Sequence, residues 1–164
     1  MKKVTRVRTL LLATAAIVLS QVGASAHLGG HSDPDDVGGK LDMRRVEISP
    51  SGRHLTVTVR THDRFHRDDL EAQEQGFHVR LDSRRDRRWD FTLLMNTEHT
   101  VPECTLYARD GFTRYGNRGT KRPRSMSCSF PRADLNQTRH LRWKVRSYDF
   151  PNEDFAPNRG WYRH

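Results

Sequence analysis

Apolar and polar positions alternate along this chain in short runs, and no long stretch beyond the N-terminal segment keeps the period of an amphipathic helix. Leu55, Val57 and Val59 interleave with His54, Thr56, Thr58 and Arg60, the clearest strand. Leu41, Met43, Val46 and Ile48 alternate with a slip of one position, which predicts a bulge near Arg44 and Arg45. Pro50-Ser51-Gly52 is a turn signal between these two runs, so they form a hairpin. The pattern returns at Phe77, Val79 and Leu81. After a polar turn over Ser83–Arg88 it resumes at Trp89, Phe91, Leu93 and Met95. Three further runs follow: Cys104, Leu106 and Ala108; Met126, Cys128 and Phe130; Leu141, Trp143 and Val145. Parity places Trp89 and Trp143 in the core with Phe91 and Val145. Between strands, Asp68 to Gln75 has room for one or two helical turns ended by Gly76. Residues 110–124 read as a long loop. Asp149–His164 reads as an irregular tail, pinned to the body by Phe150, Phe155, Trp161 and Tyr162. About seven or eight short strands without a long helix predict an all-β fold, an antiparallel sandwich of jelly-roll-like kind.

The N-terminal segment follows different rules. Lys2, Lys3, Arg6 and Arg8 precede the apolar run Leu10–Leu19, which is too short to span a bilayer, and Ala24-Ser25-Ala26 offers a small-x-small cleavage site. Residues 1–26 therefore read as a secretory signal peptide, with the mature chain exported and beginning at His27. Residues 27–39, rich in Gly and Asp, read as a flexible arm, and 40–164 as one domain. No second apolar segment follows, so no transmembrane span is expected in the mature chain, and a monomer is expected.

Removing the leader changes the charge. The 29 Lys and Arg include four in the leader, which leaves 25 against 20 acids, a net of about +5 rather than +9. Of those 25 only Lys40, Lys121 and Lys144 are lysines, a skew that fits the codon usage of a high-GC bacterium. Leu, Ile, Val and Phe make up 25 of the 138 mature residues, so the core is thin and a covalent staple matters. Cys104 and Cys128 are the only cysteines, and in an exported chain they read as a disulfide. Closing that loop contributes about 3 kcal/mol by the chain-entropy argument.

Asp35-Asp36-Val37-Gly38, Leu41-Asp42-Met43, the turn at Gly52, the Leu55–Val59 strand and Phe77-His78-Val79-Arg80-Leu81-Asp82 occur in an order that resembles small secreted actinobacterial β-domains. These in turn resemble DOMON-like sandwiches and family-9 carbohydrate-binding modules. The resemblance covers residues 33–95 and implies a jelly-roll-like fold with sugar or haem as ligand. Its haem-binding branch needs axial Met and His ligands, which no pair here can be placed to supply.

Four groups of side chains offer chemistry. Asp33, Asp35, Asp36 and Asp42 lie in or beside the Gly-rich arm, where carboxylates and main-chain carbonyls together suit calcium. Asp82, Asp86 and Asp90 form a second acidic group, and Asp149, Asn152, Glu153 and Asp154 a third. None of the three matches an EF-hand loop, and the preference of Asp for turns accounts for them equally well. A mature N-terminal His27 would offer amine and imidazole to copper, with a further nitrogen from His31, His54, His62, His66, His78 or His99. Arg84, Arg85, Arg87 and Arg88 in one turn, and Arg118, Lys121, Arg122 and Arg124 in another, suit phosphate, sulfate or carboxylate groups of a polyanion. Trp161 and Tyr162 could stack on a sugar ring. No serine-nucleophile, zinc-protease, phosphate-loop or dinucleotide motif is present. The expectation is a secreted, non-catalytic binding or envelope-associated domain for a carbohydrate or polyanionic polymer. The alternative is a copper protein built on His27, an oxidase or a carrier.

Overall fold

The computed structural model describes residues 30–71, 75–84, 86, 88–98, 101–111, 113–115, 119–135 and 141–163. The segment read as a signal peptide (residues 1–26), His27, His99, Arg85, Arg87 and Arg118 lie outside the described residues. In chain order the strands are β1 (Gly30–Ser32), β2 (Met43–Ser51), β3 (His54–Thr61), β4 (Gly76–Asp82), β5 (Phe91–Glu98) and β6 (Val101–Ala108). They continue with β7 (Thr113–Tyr115), β8 (Thr120–Arg122), β9 (Ser125–Pro131), β10 (Arg142–Asp149), β11 (Asn152–Ala156) and β12 (Tyr162–Arg163). Helix is confined, among the described residues, to two 3-10 turns at Asp68–Leu70 and Arg132–Leu135. None of it is long and apolar enough to cross a membrane.

These strands form two antiparallel sheets, the sandwich that the alternation predicts. One runs β1-β2-β3-β9-β8. The other runs β11-β10-β4-β5-β6-β7, with β12 also paired to β10. The chain crosses between sheets from β3 to β4, back from β7 to β8 and again from β9 to β10, and β3 lies beside β9 while β4 lies beside β10. With β2, β3, β9 and β8 facing β11, β10, β4, β5 and β6, the strand order is that of a variable-type immunoglobulin sandwich, ABED against GFCC′C″. A shared strand order is architecture and assigns no activity.

The inward residues are those of the alternation. Val46, Ile48, Leu55, Val57, Val59, Met126 and Phe130 face Phe77, Val79, Leu81, Leu93, Met95, Trp143 and Val145, all buried. Cys104 on β6 and Cys128 on β9 form the disulfide, so the staple joins the two sheets through the core. The predicted bulge is present: the β2–β3 register shifts between Met43 and Arg45, and Arg44 and Arg45 are both exposed.

Five readings are corrected. Among the described residues the sheets hold 12 strands rather than seven or eight, because pieces of two or three residues carry too few positions to show a period. The 27–39 arm contains β1, which pairs Gly30–Ser32 with Arg45–Glu47. The loop at 110–124 contains β7 and β8. The tail is ordered by β11 and β12, and of its aromatics Tyr162 packs on the core against Trp143 while Phe150 and Phe155 do not pin it, being 74 % and 38 % exposed, with Asp154 and Ala156 pointing inward instead. Trp89 is 38 % exposed, because it precedes β5 in a turn and carries the Arg109 guanidinium 6.0 Å above its ring.

Candidate functional site

The bulge in β2 positions the first feature. An extra residue turns two successive side chains, Arg44 and Arg45, to the outer face of the sheet. Arg45 is paired across the sheet with Arg60 on β3, Arg60 with Ser125 on β9, and Ser125 with Arg122 on β8. Neighbouring strands lie about 4.8 Å apart, so this row of three arginines crosses about 14 Å of sheet, with the small Ser125 as its floor. The next rows inward are Glu47, Thr58, Ser127 and Thr120, then Ser49, Thr56 and Ser129. Hydroxyls of Thr58 and Ser127 meet at 2.9 Å, and those of Thr56 and Ser129 at 3.2 Å.

Around the arginine row lies a groove of about 690 Å³, lined by Arg44, Arg45, Arg60, Arg64, Arg122 and Arg124 with Thr61, Pro123 and Ser125. No carboxylate lines it. Glu47, one row away, takes Arg45 Nε at 2.5 Å and Arg60 at 4.0 Å. The side chains of Arg44, Arg64, Arg122 and Arg124 have no carboxylate partner among the described residues. The groove continues past Arg64 and Arg122 into a second hollow of about 320 Å³ that adds Arg67 and Lys121. Lys121 Nζ donates to Phe65 O at 2.7 Å and lies over the Phe65 ring, and burial, with the Arg67 charge, lowers its pKa.

The other predicted basic turn differs. The hollow of about 580 Å³ beside it holds Arg84, Arg88 and Arg109 together with Asp86, Asp90, Asp110 and Asp134. Arg84 Nε lies 3.5 Å from Asp90. Asp90 also accepts from Ser83 N–H and Ser83 Oγ at 2.8 Å, and Asp86 accepts from Arg88 N–H at 2.8 Å. The acids of this turn thus make the local hydrogen bonds for which turns favour Asp.

Next to the arginine bulge is a group of buried carboxylates. Asp33 N–H donates to Arg44 O at 3.0 Å, and Met43 N–H donates to Asp154 Oδ2 at 2.7 Å. The bulge is therefore braced by an aspartate from each end of the chain. Gly39 lets the intervening loop lie against β11: its φ is +128°, and a Cβ there would come 2.9 Å from Asn152 Nδ2. Oxygens of Asp33, Asp36 and Asp154 all lie within 4.8 Å of one another. Of the residues predicted for calcium, Asp33 and Asp36 join this group, Asp42 is buried beside it, and Asp35 stays exposed and contacts Asp42. Asp154 is the member that sequence reasoning assigned elsewhere. Its inward parity with Ala156 on β11 was the available signal.

Burial dominates the electrostatics here. It raises Asp33 to about 7, helped by the charges of Asp154, Asp36 and Asp42 and by the close approach of the Asp154 carboxyl. Asp42 is raised to about 6 by burial, then by contact with Asp35 and the charge of Asp154, with His62 opposing. Asp154 is also raised by burial, against the main-chain N–H groups of Met43 and Phe155. Tyr162 is pushed up to about 12 by burial and then by Asp33 and Asp154.

His31, the second copper candidate, stacks on Tyr162 with ring centres 3.9 Å apart and meets Trp143 edge-on at 5.5 Å. Burial, then the Arg45 charge, lowers its pKa. His62 Nε2 lies 3.3 Å from Asp33 O. One face of the Tyr162 ring is thus covered by His31, and Lys144 Nζ lies 5.3 Å from the Trp161 ring centre. No protein-family model, curated protein or solved structure matches the chain.

Proposed function

We propose that this is an exported, non-catalytic binding domain whose ligand is an anionic polymer, held in the groove beside the β2 bulge. The observation that carries this reading is the lining of that groove: six arginines and no carboxylate, with four of the six unpaired among the described residues. Arginine presents a planar fork that matches phosphate, sulfate and carboxylate, and a row of such forks suits a repeating anion better than a single one. The Ser and Thr rows beside it add hydroxyls within reach of a sugar backbone, which favours an acidic glycan or a polyol phosphate. This keeps the carbohydrate half of what the family resemblance implies. The arginine turn at Arg84 and Arg88 is countered by its own aspartates and serves here as the control.

Retention on immobilised heparin tests the reading. The exported chain is expected to elute at higher salt from heparin than from a plain sulfonate resin. Arg60→Ala/Arg122→Ala is expected to reduce the log–log salt slope by about two, one per lost contact. Arg84→Ala/Arg88→Ala, which removes the same net charge, leaves the slope unchanged. Equal effects of the two double variants would show that net charge, not the groove, retains the protein.

A further inference from the structure

Burying a carboxylate without a partner is costly, and this fold does so repeatedly in one place. Elsewhere the buried acids are answered: Asp82 by Arg142, and Asp90 by Ser83 and Arg84. Where the 33–42 loop meets β11, Asp33, Asp42 and Asp154 are only 7 %, 4 % and 2 % exposed. Asp33 Oδ2, both oxygens of Asp42 and Asp154 Oδ1 are buried with no hydrogen-bond partner. No lysine or arginine among the described residues forms an ion pair with Asp33, Asp36, Asp42 or Asp154.

We propose that Asp33, Asp36 and Asp154 bind one calcium ion, with Asp42 beside them adding charge, so that the ion ties the 33–42 loop to β11. The donors are hard carboxylate oxygens, which excludes ions that prefer thiolate or imidazole. A calcium shell of radius about 2.4 Å spans the 4.8 Å within which the three oxygens lie. Two of the ligands are already oriented by their other oxygen: Asn158 Nδ2 donates to Asp36 Oδ2 at 2.7 Å, and Met43 N–H takes Asp154 Oδ2, leaving each Oδ1 for the ion. Calcium tolerates irregular coordination completed by loop carbonyls and water, whereas magnesium demands a near-ideal octahedron. The site stands independently of the arginine groove, and its test contains no polyanion.

The exported chain, stripped with chelator, is titrated with calcium chloride at pH 7.5 while binding heat and thermal unfolding are recorded. One saturable site is expected, with a Tm that climbs as calcium exceeds its Kd. Asp154→Asn is expected to stay folded, because it relieves like-charge repulsion, and to lose both responses. Asp149→Asn, in the adjoining strand, keeps them. Should Asp154→Asn fail to fold, Asp36→Asn replaces it, since Asp36 is exposed and packs no core. Absence of heat and Tm shift up to about 10 mM calcium, well above the weakest extracellular calcium sites, overturns the proposal. So does an undiminished response in the Asp154 or Asp36 variant, and an equal response to magnesium overturns the choice of ion.

Discussion

Asp82 is fully buried on β4 and lies directly across from Arg142 on β10, whose guanidinium donates to Asp82 Oδ2 at 2.5 Å. Removing only the cation strands a charge in the core, so Arg142→Leu is expected to cost about 3–5 kcal/mol in urea unfolding. Replacing both with Leu recovers most of that, because two apolar side chains of similar volume need no partner. Asp69 shows the half-buried counterpart. Burial alone would raise its carboxyl, but Lys40 Nζ at 2.8 Å and His66 N–H at 2.6 Å outweigh that and hold it below its ordinary value. A depressed carboxylate stabilises the fold fully above about pH 4, and that contribution disappears as pH falls through the folded-state value. Asp69→Asn should therefore flatten the acid limb of a stability-against-pH curve below about pH 4 and weaken the pH-independent plateau above it. Which aspartates find a cation and which do not was invisible in the order of residues: Met43 and Asp154, joined by a hydrogen bond, are 111 positions apart.

Strands were legible where they were long. β3 and β9 show clean alternation over seven or eight residues, and so did their inward faces. The bulge in β2 was readable because a one-residue slip in an otherwise regular pattern has no other economical cause. Short strands such as β1, β7, β8 and β12 were not readable, since pairing with a longer neighbour, not their own composition, makes them strands. Two further tests concern how strands are joined. Cys104→Ser/Cys128→Ser is expected to lower unfolding free energy by about 3 kcal/mol in a denaturant titration, the loop-closure contribution of a bond that spans both sheets. At the start of β4, Gly76 has φ +130°, and a Cβ there would stand 2.6 Å from the Met95 carbonyl oxygen. Gly76→Ala should cost about 1–3 kcal/mol from the dihedral alone, and more from the displaced β5 main chain, as read by thermal unfolding.

Taken together, the sandwich separates its charges. Six arginines, four of them without an acid partner among the described residues, gather at one end of the β1-β2-β3-β9-β8 sheet, and acids without cations gather beside the same bulge, where that sheet meets β11. Local pattern was sufficient for the all-β class, the two-layer core and the cysteine pairing, because alternation, turn residues and a lone cysteine pair are properties of neighbouring positions. It also marked Arg122, Arg124, Asp33 and Asp36 as residues with chemistry to offer. It could not say that Arg44, Arg45, Arg60 and Arg64 complete one groove with them, or that Asp154 completes the acidic group. Those neighbours come from β2, β3, the loop after β3 and β11, and their meeting depends on strand register and on how one sheet lies across the other. Side-chain charge is written in the chain, but whether a charge is neutralised, exposed or stranded depends on distance and burial, which exist only after the sheets have packed.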